Sequence, residues 1–66
     1  MNITINGKPQ VTPDGSTVAD LLRTLALADK RVAVEVNGDI VPRSQHGTHE
    51  LAQDDRVEVV VAVGGG

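Results

Sequence analysis

Three glycines, Gly64, Gly65 and Gly66, follow the apolar run Val57-Glu58-Val59-Val60-Val61-Ala62-Val63. A strongly strand-forming segment therefore leads into residues without side chains and a carboxylate. Lacking Cβ atoms, such a tail can thread a narrow channel, and fully extended it reaches roughly 10 Å past the strand. A carboxylate offered in this way can be handed to an enzyme. With a reference pKa of about 3.3 to 3.7 it is ionised at neutral pH and a poor acyl donor, so it must be activated before a nucleophile attacks it. The bare Gly65 and Gly66 keep the carbonyl open to that attack and let it enter a closed site, where positioning supplies much of the rate. The competing reading is an inert end, since chain ends are often Gly-rich and disordered.

Other residues that could do chemistry are less well placed. His46 and His49 stand three apart, a spacing that could ligate a metal, but two ligands in a polar stretch without cysteine read better as solvated loop histidines. Asp54 and Asp55 resemble a paired-carboxylate acid/base site, yet their polar setting in Gln53-Asp54-Asp55-Arg56 reads as an ordinary turn. Ser16 and Ser44 could join the histidines and acids in a triad on paper, but neither order nor context supports a nucleophile elbow. No catalytic residue and no metal ligand is assigned. Lys8, Lys30, Arg31, Arg43 and Arg56 are scattered, and of these Arg43 stands out because it follows Pro42.

The rest of the chain must position the tail. Its 66 residues make one domain, near the lower size at which a hydrophobic core suffices unaided. Phe, Trp and Tyr are absent, so the core is packed from Val, Leu, Ile and Ala, which suits a small sheet carrying one helix. With no cysteine, disulfides, zinc thiolates and cysteine nucleophiles are excluded. A net charge of -3 argues against nucleic acid and permits steering toward a basic partner surface. The N-terminus alternates apolar and polar, and no apolar stretch approaches a membrane span, so a soluble, cytoplasmic protein is expected.

Ile3 and Ile5 share one face of a first strand, Asn6-Gly7 supplies a tight hairpin turn, and residues 8 to 12 return. Pro9 and Pro13 confine this return strand to a sheet edge. After the Asp14-Gly15 turn, Ser16 or Thr17 caps a helix, and Thr17 with Asp20 approximates a capping box. Val18, Leu21, Leu22 and Leu25 form its apolar stripe, and the spacing predicts a helix over about 18 to 26. Residues 32 to 36 and 40 to 42 form two strands around Asn37-Gly38-Asp39, with Pro42 ending the second. Residues 43 to 53 read as a loop with one helical turn, in which Leu51 is the large apolar residue. The last strand, 57 to 63, is apolar almost throughout, which indicates a central strand covered on part of both faces or a patch kept for a partner. Val61 and Val63 alternate and so share a face beside the tail. The order β, β, α, β, β, β with a right-handed crossover and the last strand beside the first is an α+β arrangement, the β-grasp, with a mixed five-stranded sheet and one main helix. Residues 1–63 would form this domain and 64–66 a flexible tail.

The segments Val34-Glu35-Val36-Asn37-Gly38-Asp39-Ile40-Val41-Pro42-Arg43 and Leu51-x-x-Asp54-Asp55-x-Val57-Glu58-Val59, closed by Ala62-Val63-Gly64-Gly65-Gly66, resemble the ThiS family of ubiquitin-like sulfur carriers of thiamin biosynthesis. The resemblance covers the whole chain. It implies a carrier and not an enzyme, adenylated on Gly66 by a ThiF-like enzyme that consumes ATP, with no bound cofactor of its own. Sulfur from a cysteine desulfurase relay would then give a thiocarboxylate delivered to a ThiG-like thiazole synthase. Gly64 and Gly65 would occupy the partner's channel, and Val61, Val63 and Arg43 would contact its surface. Two positions depart from the family pattern: Asp54 stands where a Gly usually precedes the turn Asp, and His46 where relatives often carry an aromatic residue. Other readings are the small subunit of molybdopterin synthase, a ubiquitin-like protein modifier, and an inert β-grasp domain.

Overall fold

The structure, a computed structural model, describes residues 1–62. The first strand β1 (Asn2–Ile5) and β2 (Lys8–Val11) form a hairpin, helix α1 (Val18–Thr24) crosses over, and β3 (Val32–Val36), β4 (Asp39–Val41) and β5 (Arg56–Val61) complete a five-stranded sheet. The strand order is β2-β1-β5-β3-β4, with β5 parallel to β1 and antiparallel to β3. This is the β-grasp arrangement that the element order implies, and β2, with Pro9, lies at an edge where its missing amide costs no ladder bond. The last strand occupies the middle of the sheet, as expected. Val63 and the expected boundary between residues 63 and 64 lie outside the described residues.

The two hairpin turns follow from their residue pairs. Asn6 and Gly7 take φ of 51° and 82°, and Asn37 and Gly38 take 53° and 88°, the double positive φ that a two-residue turn needs to match the twist of its strands. Helix α1 starts where Thr17 accepts a bond from the Asp20 amide while the Asp20 carboxylate accepts one from the Thr17 amide, a complete capping box.

The helix ends two residues before the expected position 26. Ala26 has φ of 61°, and reversed bonds from the Ala26 amide to Arg23 O (3.0 Å) and from the Leu27 amide to Leu22 O (2.7 Å) close the last turn. That left-handed stop is ordinarily taken by glycine, and an alanine there hides the signal from sequence reasoning.

The core is wholly aliphatic: Val18, Leu21 and Leu22 of the helix and Leu51 of the long loop pack on Ile3, Val34, Val36, Val41, Val57 and Val59 of the sheet. One sheet face takes all of this packing. Val60 and Val61 are 62% and 40% exposed, so the near-continuous apolar run of β5 reflects a covered face followed by a free end, and not cover on both faces.

The long loop begins with a 3-10 turn (Arg43–Gln45) and supplies acceptors to the helix N-terminus, whose first amides lack partners within the helix. The Val18 amide bonds His49 O (3.0 Å), the Ala19 amide bonds His46 O (2.8 Å), and the Leu51 amide returns to Ser16 O (2.8 Å). His46 is therefore buried, with Nε2 donating to Val41 O at 3.1 Å, a correction to the solvated loop histidine expected from the polar surroundings. A helix start docked on a loop needs a side chain that satisfies its own polar atoms beneath it. No helix among the described residues is long and apolar enough to cross a membrane.

The helix termini give two expectations. Replacing Ala26 with Gly removes the left-handed penalty of a Cβ, partly offset by greater unfolded-chain entropy, and should stabilise by about 0.5–1 kcal/mol, read as a raised Tm. An unchanged or lowered Tm would show that the stop is unstrained. The Asp20 carboxyl lies below its ordinary value of 3.8, first because of the Thr17 amide, then the Thr17 hydroxyl and Arg23. As pH falls the unfolded chain binds that proton before the folded one, so the stabilisation is complete above about pH 5 and is lost as pH drops through the unfolded and then the folded value. The Tm difference between wild type and Asp20→Ala should therefore narrow from pH 5 to pH 3.

Candidate functional site

The expected tail chemistry starts from the end of β5, and the structure holds that strand from both sides as far as Val59 and from the β3 side beyond it. On one side β3 pairs with it in antiparallel register from Val36 opposite Val57 to Val32 opposite Val61. One residue further, the Ala62 amide donates to Arg31 O at 2.8 Å. On the other side the parallel register with β1 runs to Ile5 opposite Val57.

Beyond Ile5 the turn residue Asn6 continues that edge. Its amide donates to Val57 O (2.9 Å), its Nδ2 to Val59 O (3.1 Å), and its Oδ1 accepts the Val59 amide (2.8 Å). The asparagine thus does for Val59 what another strand residue would do, while its own φ of 51° makes the hairpin turn. Asn37 acts similarly at the start of β5: its Oδ1 accepts the Arg56 amide (2.9 Å), and its amide donates to Arg56 O (2.8 Å). Asn37 Nδ2 also bonds Asp55 Oδ1 (2.9 Å), and Asp55 Oδ2 accepts the Ala52 amide (2.7 Å). Asp54 takes φ of 70° in this turn, a left-handed geometry that Asp accepts at some cost. Sequence reasoning read both Asn-Gly pairs as turns and missed that their side chains clamp β5. The available signal was the β-hairpin asparagine itself, which carries an amide able to pair with a neighbouring strand.

The site residues named from the sequence fall in different places. Val61 is on the helix-side face with Val57 and Val59. Because α1 stops at Thr24, that face is left open near the strand end as a groove of about 360 Å³ bordered by Val59, Val61, Ile5, Leu25 and Leu27, with Lys8 at its rim. Arg43 is exposed and lines a separate cleft with Arg23 and His46, beside Leu22. The described geometry does not bring Arg43 and Val61 into one groove. Val63 and Gly64, Gly65 and Gly66 lie outside the described residues.

A five-stranded mixed sheet grasping one helix, with the parallel central strand leading into the glycine segment, places this chain in the ubiquitin-like β-grasp class. Comparison with known proteins narrows the class. Residues 3–66 match the ThiS family. The crystal structure of the thiamine biosynthesis protein ThiS from Geobacter metallireducens superposes with a TM-score of 0.84 at 35% identity, covering 100% of both chains. The sulfur carrier protein ThiS of Bacillus subtilis is 38% identical over 63 residues, 94% of this chain and 96% of that protein. A thiazole synthase of Magnetococcus marinus is 42% identical over all 66 residues. The chain spans 20% of the length of the thiazole synthases that it matches. The chain belongs to the ThiS family.

The asparagine clamp is testable separately from any chemistry. Asn6→Gly keeps the turn geometry and removes both side-chain bonds to Val59, which should cost about 1–2 kcal/mol. Asn6→Ala adds left-handed strain of about 1 kcal/mol more. Hydrogen exchange should accelerate at the Val59 amide in both variants. Unchanged protection at Val59 would show that the clamp does not hold the strand.

Proposed function

We propose that this protein is a sulfur carrier of thiamin biosynthesis, acting in the cytoplasm as a cosubstrate of other enzymes. The observation that carries the reading is the ThiS family match through residue 66, together with near full-length likeness to ThiS proteins. In this proposal the reactive group is the carboxylate of Gly66. A ThiF-like enzyme couples it to the α-phosphate of ATP and releases pyrophosphate, which turns a carboxylate oxygen into part of a leaving group. Persulfide sulfur from a cysteine desulfurase relay then attacks the carbonyl, and the bond to AMP breaks. Thiol reduction of the resulting acyl disulfide leaves a thiocarboxylate, so the net change is one oxygen for one sulfur.

Thiazole synthase is the proposed consumer. The likeness of this chain to part of two thiazole synthases supports that pairing, since fused partners in one protein often act together as separate chains in another. Within the proposal the residues have distinct tasks: Gly64 and Gly65 pass through the enzyme's channel, Val61 and Val63 contact its mouth, and Arg43 offers a charge further along the surface. The well-held β5 supports the same reading, because a rigid base converts binding of the domain into placement of the tail.

Intact-mass measurement tests the chemistry. Incubated with the adenylating enzyme, ATP and a desulfurase with cysteine and thiol, the wild-type chain should exchange one oxygen for sulfur at Gly66, and with thiazole synthase and its substrates it should return to its starting mass. Deletion of Gly66, or Gly65→Leu, should abolish the exchange while circular dichroism stays unchanged. A wild-type chain that is never adenylated would overturn the carrier. Stable adducts on lysines of other proteins would show a modifier instead.

A further inference from the structure

Two Asn-Gly pairs make the hairpin turns, and the same dipeptide carries a chemistry of its own. Glycine puts no side chain beside its amide nitrogen, so that nitrogen can reach Cγ of the preceding asparagine and close a five-membered ring. Gly7 and Gly38 both lie in open space, where an added Cβ would meet nothing within 4 Å. Among the described residues neither glycine amide donates a hydrogen bond. What differs is the hold on each asparagine side chain. Asn6 pairs Nδ2 and Oδ1 with the backbone of Val59, at 3.1 and 2.8 Å, in partly buried surroundings. Asn37 bonds the Asp55 carboxylate and the Arg56 amide, at 2.9 Å each, and both bonds are exposed. The strand that follows Asn37-Gly38 is β4, three residues paired on one side alone. Exposed bonds beside a short edge strand open at little cost, whereas opening at Asn6 must free a side chain from the central strand.

We propose that Asn37-Gly38 is a deamidation site of the folded protein, and that the bonds to Val59 protect Asn6-Gly7 from the same modification. The Gly38 nitrogen gives up its proton to solvent and attacks Cγ of Asn37. The Cγ–Nδ2 bond then breaks, Nδ2 takes a proton from water and leaves as ammonia, and a succinimide remains. Water opens this ring in one of two ways. Cleavage between Cγ and the Gly38 nitrogen gives aspartate, and cleavage between the backbone carbonyl carbon and that nitrogen gives isoaspartate. One water is consumed and one ammonia released, with no oxidation or reduction. Aspartate at this position sets a carboxylate against Asp55 where Nδ2 now donates, which turns a hydrogen bond into a like-charge pair. Isoaspartate routes the backbone through the side-chain methylene and so lengthens a two-residue turn whose geometry depends on two positive φ values, 53° and 88°. Both products loosen the Asp55 turn from which β5 starts.

Ageing the full chain in mildly alkaline buffer, followed by peptide mapping with mass spectrometry, tests the site. The same map made in denaturant gives the rate of each Asn-Gly pair without structure, and the ratio of unfolded to folded rate is its protection. Protection at Asn6 should exceed that at Asn37 by about tenfold, the factor that one net hydrogen bond contributes to a local opening equilibrium. In Asn37→Gly the aspartate and isoaspartate at that position should vanish while the slower signal at Asn6 stays. Asn37→Asp reads the consequence. Hydrogen exchange at the Ala52 amide, which donates to Asp55 Oδ2 at 2.7 Å, should accelerate, and the effect should shrink as salt rises. Exchange at the Val59 amide should stay as in wild type, because Asn6 still holds it. Equal protection at the two pairs, or greater protection at Asn37, would overturn the assignment of the site. Unchanged exchange at Ala52 in Asn37→Asp would overturn the loosening of the Asp55 turn.

Discussion

The central position of β5 is the constraint on which the rest depends. A central strand needs partners on both sides for as much of its length as possible, yet its parallel neighbour β1 turns away after Ile5 to begin the hairpin. Asn6 resolves the conflict by turning the chain with its backbone while pairing with β5 through its side chain. Asn37 does the same at the strand's start, where it meets the Asp55 turn. Two residues chosen for turns thus also fix the register of β5, and register decides which of its valines enter the core.

The helix and the long loop are subordinate to that strand. A helix of only a few turns gains little from its own hydrogen bonds and depends on burying Val18, Leu21 and Leu22 against the sheet. Its first amides are completed by Thr17, His46 and His49, so the loop from β4 to β5 serves as the helix's N-terminal support as well as a connection. Leu51 anchors the returning loop in the core before β5 begins. Its position explains why one large apolar residue suffices in that stretch.

Local chemistry accounts for what could be read without coordinates. The Asn-Gly turns, the Thr17–Asp20 box, the prolines of the edge strand and the apolar stripe of α1 each carry their meaning in a few neighbouring residues, and together they left few topologies. Three features escaped because they depend on distant partners or on a residue that breaks its usual pattern. Ala26 occupies a left-handed stop without being glycine, His46 is drawn inward by the helix start it supports, and the asparagine clamps appear only when β1 and β5 lie side by side. The same division holds elsewhere: the glycines of the candidate site announce themselves in the sequence, whereas the open-face pairing of Glu35 with Glu58 exists only through the register.

That pairing also bears on why a small β-grasp domain is suited to presenting a tail. One short helix can cover one face of five strands and no more, so the fold leaves the opposite face to solvent or to a partner. If stability alone had shaped that face, the facing positions on β3 and β5 would carry opposite charges or threonines, each worth a few tenths of a kcal/mol or more. They carry two glutamates instead, beside exposed aliphatic side chains. A local choice that conflicts with the stability of its own sheet marks a place where the sequence answers to a second requirement. Here that place is on the strand that runs on in sequence toward the three glycines.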